Sequence, residues 1–161
     1  MIPLKDDNPT RGGKPIVTYG IIFFCVIIFF SQLGLSENEL RDFTYSYGLI
    51  PSVLMGIDNL PNDLFKISPI GTIFTSMFMH GGWMHLIGNM LYLWIFSDNI
   101  EDDLGTLNFI IFYLVCGIGA AMSQVLMDIN SQIPMIGASG AIGGILGAYL
   151  VNYSNARVLV L

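Results

Sequence analysis

Charge is scarce in this chain. Only 11% of its 161 residues are Asp, Glu, Lys or Arg, whereas a soluble domain carries roughly 25%. The shortage is uneven, too. No charged residue occurs from Pro15 to Ser36, from Ile67 to Ser97, from Leu104 to Met127, or from Ile129 to Ala156. With 53% hydrophobic residues and a mean hydropathy of +0.67, four such windows argue against the buried core helices of a soluble protein and for a helical integral membrane protein. Basic residues are fewer than acidic ones, six against twelve, and form no patch, so nucleic acid is not an expected partner. The two cysteines, Cys25 and Cys116, each lie mid-window in an apolar segment and read as small core residues, not as a disulfide or metal pair. The only histidines are His80 and His85. The zinc-protease pattern needs histidines four apart with a glutamate beside the first, and no Cys or carboxylate lies near this pair, so no metal is expected.

The windows give an organisation. Residues 1–14 form a polar tail. A first span covers 15–35; its length of about 20 residues, with no small-residue cleavage pattern after it, makes it an uncleaved helix rather than a secretory leader. A long loop, 36–82, carries most of the remaining charges and turn signals at Gly48, Pro51, Pro61 and Pro69. Its Leu49, Ile50, Val53, Leu54 and Met55 are expected on the membrane face, and a short interfacial helix is expected over 70–79. Further spans are predicted at 83–97, 106–127 and 137–153, with an acidic turn at Asp98 to Asp103 and a new helix starting from 157. Lys5, Arg11 and Lys14 before the first span, and Arg157 after the fourth, put the N-terminus in the cytoplasm by the positive-inside rule.

Two places break the apolar pattern. In Trp83 to Phe96 the only strongly polar side chains are His85 and Asn89, four apart and therefore on one helix face. Intramembrane polar residues are costly and mark functional sites by default; two groups bonding to a neighbouring helix is the plainer alternative. The second place is Gly137 to Tyr153, GASGAIGGILGAYLVNY. Ser139, Gly143 and Gly147 form one bare stripe, and Gly140, Gly144 and Ala148 form another beside it. Such small-residue patterns let helix backbones touch. A tight seam explains the stripes but not a serine between glycines at the helix mouth. There the first-turn amides are unpaired and can stabilise an oxyanion, and a hydroxyl can act as nucleophile if a base reaches it.

The stretches FTSMFMHGGWMHLIGNMLYLWIFSDNIEDDLG, FYLVCGIGAA and IPMIGASGAIGGILGAYL, together with the loop FTYSYGLIPSVL, resemble the rhomboid family of intramembrane serine proteases over about residues 43–161. The resemblance rests on GxSG at Gly137 to Gly140 combined with HxxxxHxxxN at His80, His85 and Asn89, and with Glu101 and Gly105. It implies an all-α polytopic bundle with four of six core helices present in 15–161. It also implies peptide hydrolysis within the bilayer, acting on single-span membrane proteins. Ser139 would be the nucleophile, and His85, Asn89 and the Ser139 amide the oxyanion hole. His80, Gly137, Gly140, Gly143 and Gly147 would support the site. No cofactor is implied, since acyl transfer by serine needs none, and the oligomeric state is left open. The expected location is a bacterial inner membrane.

The family uses a Ser-His dyad whose histidine lies on the sixth helix. Both histidines here precede Ser139 and match other positions, so the chain is expected to stop short of the base, as part of a longer protease. A naturally truncated, inactive form is the alternative. His85 as base is a third reading, and it would leave the oxyanion hole unfilled. A rhomboid-like protein that binds client transmembrane helices without cutting them is the competing function. A transporter is disfavoured by the lack of an inverted repeat and of charge within the spans.

Overall fold

The computed structural model describes residues 3–8 and 12–161; Arg11, one of the flanking charges, lies outside them. Among these residues, seven helices and two short strands follow in the order β1 (Pro3–Asp6), α1 (Ile16–Leu33), α2 (Glu37–Tyr47), α3 (Pro51–Leu54), α4 (Pro69–Thr75), α5 (Trp83–Leu104), α6 (Thr106–Met127), α7 (Ser139–Asn152) and β2 (Val158–Val160). A single 3₁₀ turn, Ser76–Phe78, extends α4. The bundle is built from α1, α5, α6 and α7, with one main core that includes Cys25, Phe29, Leu93, Phe109, Tyr113 and Ile145.

The long helices are fixed at their ends by polar groups from other elements. Pro15 precedes α1 and offers no side-chain cap. Glu101 of α5 supplies one instead. Its carboxylate accepts hydrogen bonds from the Val17 and Thr18 amides and from the Thr18 hydroxyl, each 2.8 Å. The first-turn donors that a helix leaves unpaired are thus met by a buried carboxylate from a distant segment. At the far end of α1, the Phe29 ring packs edge-on against Trp83, centroids 4.9 Å apart, so α1 and α5 run antiparallel. Gly105 alone joins α5 to α6. Its φ of 77° and ψ of 158° fall in a region open essentially only to glycine.

Several expectations change. The acidic run Asp98 to Asp103 is not a turn but the last part of α5. Besides Glu101, Asp102 accepts from the Gly13 amide (3.1 Å) and Asp103 from the Tyr153 hydroxyl (2.8 Å), so partners on other elements hold these carboxylates along a continuing helix. The segment Glu37–Tyr47 is helical, opened by a capping box between Ser36 and Glu39. Leu49 and Ile50 are buried instead of facing the membrane, because Leu49 pairs its backbone with Met135. The chain from 157 is a strand, not the start of a helix. Val158–Val160 pairs antiparallel with Pro3–Asp6, whose edge offers the β-branched segment a partner.

By length and composition, α1 and α6 are apolar enough to cross a membrane, with mean hydropathies of 2.3 and 2.0. The 22 residues of α5 rise about 33 Å, enough to span, but the helix carries polar groups at both ends. The 14 residues of α7 rise only about 21 Å. Its N-terminal approach is extended chain that lines a cavity, the setting in which irregular backbone is tolerated at membrane depth.

Replacing Glu101 by Ala strands three buried or half-buried donors and should lower stability by about 2–4 kcal/mol. Thr18→Val removes one hydroxyl and should cost about 1 kcal/mol. Thermal unfolding in detergent micelles reads both. A Glu101→Ala protein as stable as wild type would remove the latch from the account.

Candidate active site

Ser139 is the first residue of α7 and is exposed. The chain reaches it through an extended segment, Pro134 to Gly137, held on two sides. Leu49 and Met135 exchange backbone hydrogen bonds (3.1 and 2.8 Å). The Gly137 amide donates to the Ser76 carbonyl (2.8 Å). Gly137 has φ 123°, a conformation that side chains strain against. A β-carbon there would lie 2.5 Å from His85 Nε2 and 3.7 Å from Asn89 Nδ2. The glycine before the serine is therefore required twice, by its backbone angle and by the two polar groups of α5 that press against it.

This contact brings together residues distant in sequence. His85 and Asn89 are both half-buried on one face of α5, directed at the chain two residues before Ser139. His80 lies behind them, fully buried. Its Nε2 accepts from Asn89 Nδ2 at 3.0 Å, and its ring stands edge-on to His85, centroids 5.1 Å apart. With Nε2 accepting, the ring proton sits on Nδ1, which faces the Phe78 backbone without a well-formed hydrogen bond. Burial, and then the neighbouring His85, push the His80 pKa down to about 4, with the Phe78 backbone opposing. His80 is thus a neutral acceptor that orients the Asn89 amide.

The two small-residue stripes of α7 have different surroundings. A β-carbon on Gly140 would come within 2.5 Å of Ala120 Cβ, and one on Gly144 would collide with Cys116. This stripe is packed against α6. On the other stripe Ser139, Gly143 and Gly147 are all exposed, and β-carbons on Gly143 and Gly147 would meet nothing within 4 Å. A cavity of about 100 Å³ adjoins the serine, lined in part by Ser76, Gln124, Gly137, Ser139 and Gly140. Among the described residues no hydrogen bond joins Ser139 to either histidine, and no group of three or more His, Cys, Asp or Glu is placed to hold a metal ion.

All the residues singled out in the sequence lie in or beside α5 and α7, but they form two groups. His80, His85, Asn89 and Gly137 meet at one point, with Ser139 two residues on. Gly143 and Gly147 extend from Ser139 along a face where a β-carbon would meet no other described residue within 4 Å. Sequence reasoning missed Leu49, Ser76 and Met135, which act through backbone groups and so carry no side-chain signature.

A family model described as the Rhomboid domain matches residues 69–161. The chain belongs to the rhomboid family. Rhomboid protease GluP of Bacillus subtilis is 30% identical over 151 residues, 93% of this chain and 27% of that protein. RHOMBOID-like protein 5 of Arabidopsis thaliana is 32% identical over 78 residues, 48% of this chain and 25% of that protein. Putative rhomboid protease YdcA of Bacillus subtilis is 28% identical over 137 residues, 84% and 61% respectively. This rhomboid chain thus spans about a quarter of the first two relatives and less than two thirds of the third. As a rhomboid it is an integral membrane protein, and its helical bundle is the architecture expected of the family.

The stripes predict opposite responses to one methyl group. Gly144→Ala should destabilise the 161-residue chain by about 1–3 kcal/mol through overpacking against α6. Gly143→Ala should stabilise it by up to about 1 kcal/mol, the helix-propensity difference. Equal thermal shifts would contradict the assignment of the packed face. The His80 shift fixes a pH dependence. Between about pH 4 and 6.5 the unfolded chain binds the His80 proton and the folded chain does not. Stability from this group is full above pH 6.5 and declines as pH falls toward 4. Unfolding midpoints measured across this range should show the slope in wild type and a shallower one in His80→Asn.

Proposed function

We propose that this chain carries the nucleophile and the oxyanion-binding groups of an intramembrane serine endopeptidase acting on single-span membrane proteins. The observation that supports it best is the convergence of His85 Nε2 and Asn89 Nδ2 on Gly137, beside an exposed serine at a helix mouth. In this reading the Ser139 hydroxyl attacks the scissile carbonyl carbon. Its proton passes to a base, and the carbonyl oxygen becomes an oxyanion. His85, Asn89 and the Ser139 amide donate to that oxyanion. Neutral donors suit a site within the bilayer, since they bring no net charge with them. Collapse of the tetrahedral species breaks the C–N bond, and the base returns its proton to the leaving amine. Water then attacks the acyl-serine and regenerates the hydroxyl.

The base in this proposal is a histidine on a helix outside residues 1–161, seated against the bare stripe of Ser139, Gly143 and Gly147. The open face of α7 supports this, being bare enough for a close helix and covered by none of the described residues. The names of the two Bacillus subtilis relatives support peptidase activity. Their coverage of this chain exceeds that of the Arabidopsis relative, which favours a bacterial plasma membrane. Lys14 and Arg157 lie toward the end of the bundle away from Ser139, in keeping with a cytoplasmic N-terminus and a site opening to the outer face. Exposed Phe23, Phe24, Ile27 and Phe30 on α1 are its lipid-facing surface.

A second reading, a rhomboid-like protein that holds client transmembrane helices without cutting them, is favoured by one observation. Neither His80 nor His85 is hydrogen-bonded to Ser139, and His80 is committed to Asn89.

A serine-directed phosphonate separates the two when applied to the full-length protein in lipid. Wild type should be labelled and Ser139→Ala should not. His85→Ala and Asn89→Ala should each slow cleavage of a transmembrane substrate by about 10²–10³-fold, the usual effect of losing one oxyanion donor. Labelling that survives Ser139→Ala would exclude this serine as nucleophile.

A further inference from the structure

At the end of the bundle opposite the site, residues 3–8 run across α5 and α7 and are bonded to both. The Tyr149 hydroxyl of α7 donates to Asp6 Oδ2 at 2.7 Å and accepts from Asn8 Nδ2 at 2.6 Å. Asn99 of α5 is almost fully buried. With its amide turned so that nitrogen faces acceptors, it donates to the same Asp6 oxygen at 2.9 Å and to Asp98 at 3.2 Å. One carboxylate oxygen thus ties a side chain of α5 to a side chain of α7. Beneath it the Phe96 and Tyr149 rings meet edge-on, centroids 4.9 Å apart. The segment is itself anchored to the chain that follows α7. Its strand pairs with β2, Asp7 receives the Arg157 amide at 2.9 Å, and the Asp7 amide donates to the Arg157 carbonyl at 3.1 Å.

The positions of the two anchors are matched. Asn99 follows Asn89 by ten residues on α5, and Tyr149 follows Ser139 by ten on α7. The two helices run in the same direction, so each anchor lies about 15 Å along its axis from the corresponding site residue. On α7, Gly144 falls midway between Ser139 and Tyr149, and there the backbone bears on Cys116 of α6. The same row bears on α6 at Gly140, one turn nearer the site, where a β-carbon would meet Ala120. With two contacts on α6, α7 moves as one rod, and movement at its Tyr149 end is carried to its Ser139 end. At the Ser139 end there is no slack, because Gly137 is already in contact with His85.

We propose that residues 3–8 are a clamp. By holding Tyr149 to Asn99 through Asp6, they fix the far end of α7 against α5 and so set how His85 and Asn89 sit against the chain before Ser139. Asp6, Asn99 and Tyr149 are then positioning residues. Their effect on turnover rests on the peptidase reading, whereas their effect on α7 does not.

The test uses the full-length protein in lipid nanodiscs, well below its unfolding temperature, with three readouts: amide hydrogen exchange in α7, imidazole nitrogen shifts of His85, and the rate of phosphonate labelling at Ser139. Tyr149→Phe keeps the ring and loses the hydroxyl; Asp6→Ala loses the shared acceptor. Each should speed exchange in the second half of α7 by about tenfold, the scale of one charge-assisted hydrogen bond. Each should also move the His85 shifts and slow labelling several-fold. The double variant should go little further than either single one. Asp6→Asn, which keeps an acceptor oxygen but not the charge, should lie between wild type and Asp6→Ala. Thr18→Val is the control for mere loss of stability, since it loosens α1 without touching α7. If Thr18→Val speeds α7 exchange as much as Tyr149→Phe at an equal loss of thermal stability, the clamp is overturned. Faster exchange in Tyr149→Phe with unmoved His85 shifts overturns it as well. A wild type that does not label at all would sink the peptidase reading, and exchange and His85 shifts would still decide the clamp.

Discussion

Between apolar helices in a bilayer, burial alone gives little preference for one partner over another, because lipid chains are as apolar as leucine. Association depends on how closely backbones approach and on which polar groups they bring together. Here the closest approach is that of α7 to α6, where Gly140 faces Ala120 and Gly144 faces Cys116 with no room for a side chain. That seam sets the axis of α7, and with it the position of the Ser139 mouth. Glu101 does the corresponding work for α1. Its carboxylate holds the Val17 and Thr18 amides, so α1 docks on α5 in one register. The core side chains fill the space these two constraints leave.

The site follows from the same economy of polar contacts. Gly137 can accept His85 and Asn89 at contact distance only because it has no side chain and a φ of 123°. The segment before it keeps that angle because Leu49 pairs with Met135 and Ser76 accepts the Gly137 amide. The loop from 36 to 82 is therefore part of the site's frame. His80, kept neutral by burial, holds the Asn89 amide from behind. The result is a pair of uncharged groups directed at one point, supported by backbone from three separate segments.

Much of this was legible in the sequence for physical reasons. His85 and Asn89 stand out because polar side chains are rare in an apolar helix, and their spacing of four assigns them one face. The glycine stripes of α7 are visible as a period, and their crowded and bare faces correspond to the two rows read from the sequence. What the sequence did not disclose was carried by backbone or by long-range partners. The Asp98 to Asp103 run looks like a turn by composition; it is helical because Gly13, Thr18 and Tyr153 supply donors from far along the chain. The segment from Arg157 resembles the start of a helix until a strand from the N-terminus is available beside it. Leu49 reads as a membrane-facing residue unless its pairing with Met135 is known.

The Glu101 latch also has a consequence for the order of assembly. Glu101 lies 83 residues after Thr18 in the chain. At about 5–20 residues per second of synthesis, the first helix waits roughly 4–17 s for the carboxylate that pairs its leading amides. Through that interval α1 is in the insertion machinery or the lipid with its first turn open to water or headgroups, and its register against α5 is not yet defined. The bundle therefore closes backwards: the last turns of the second long helix fix the first.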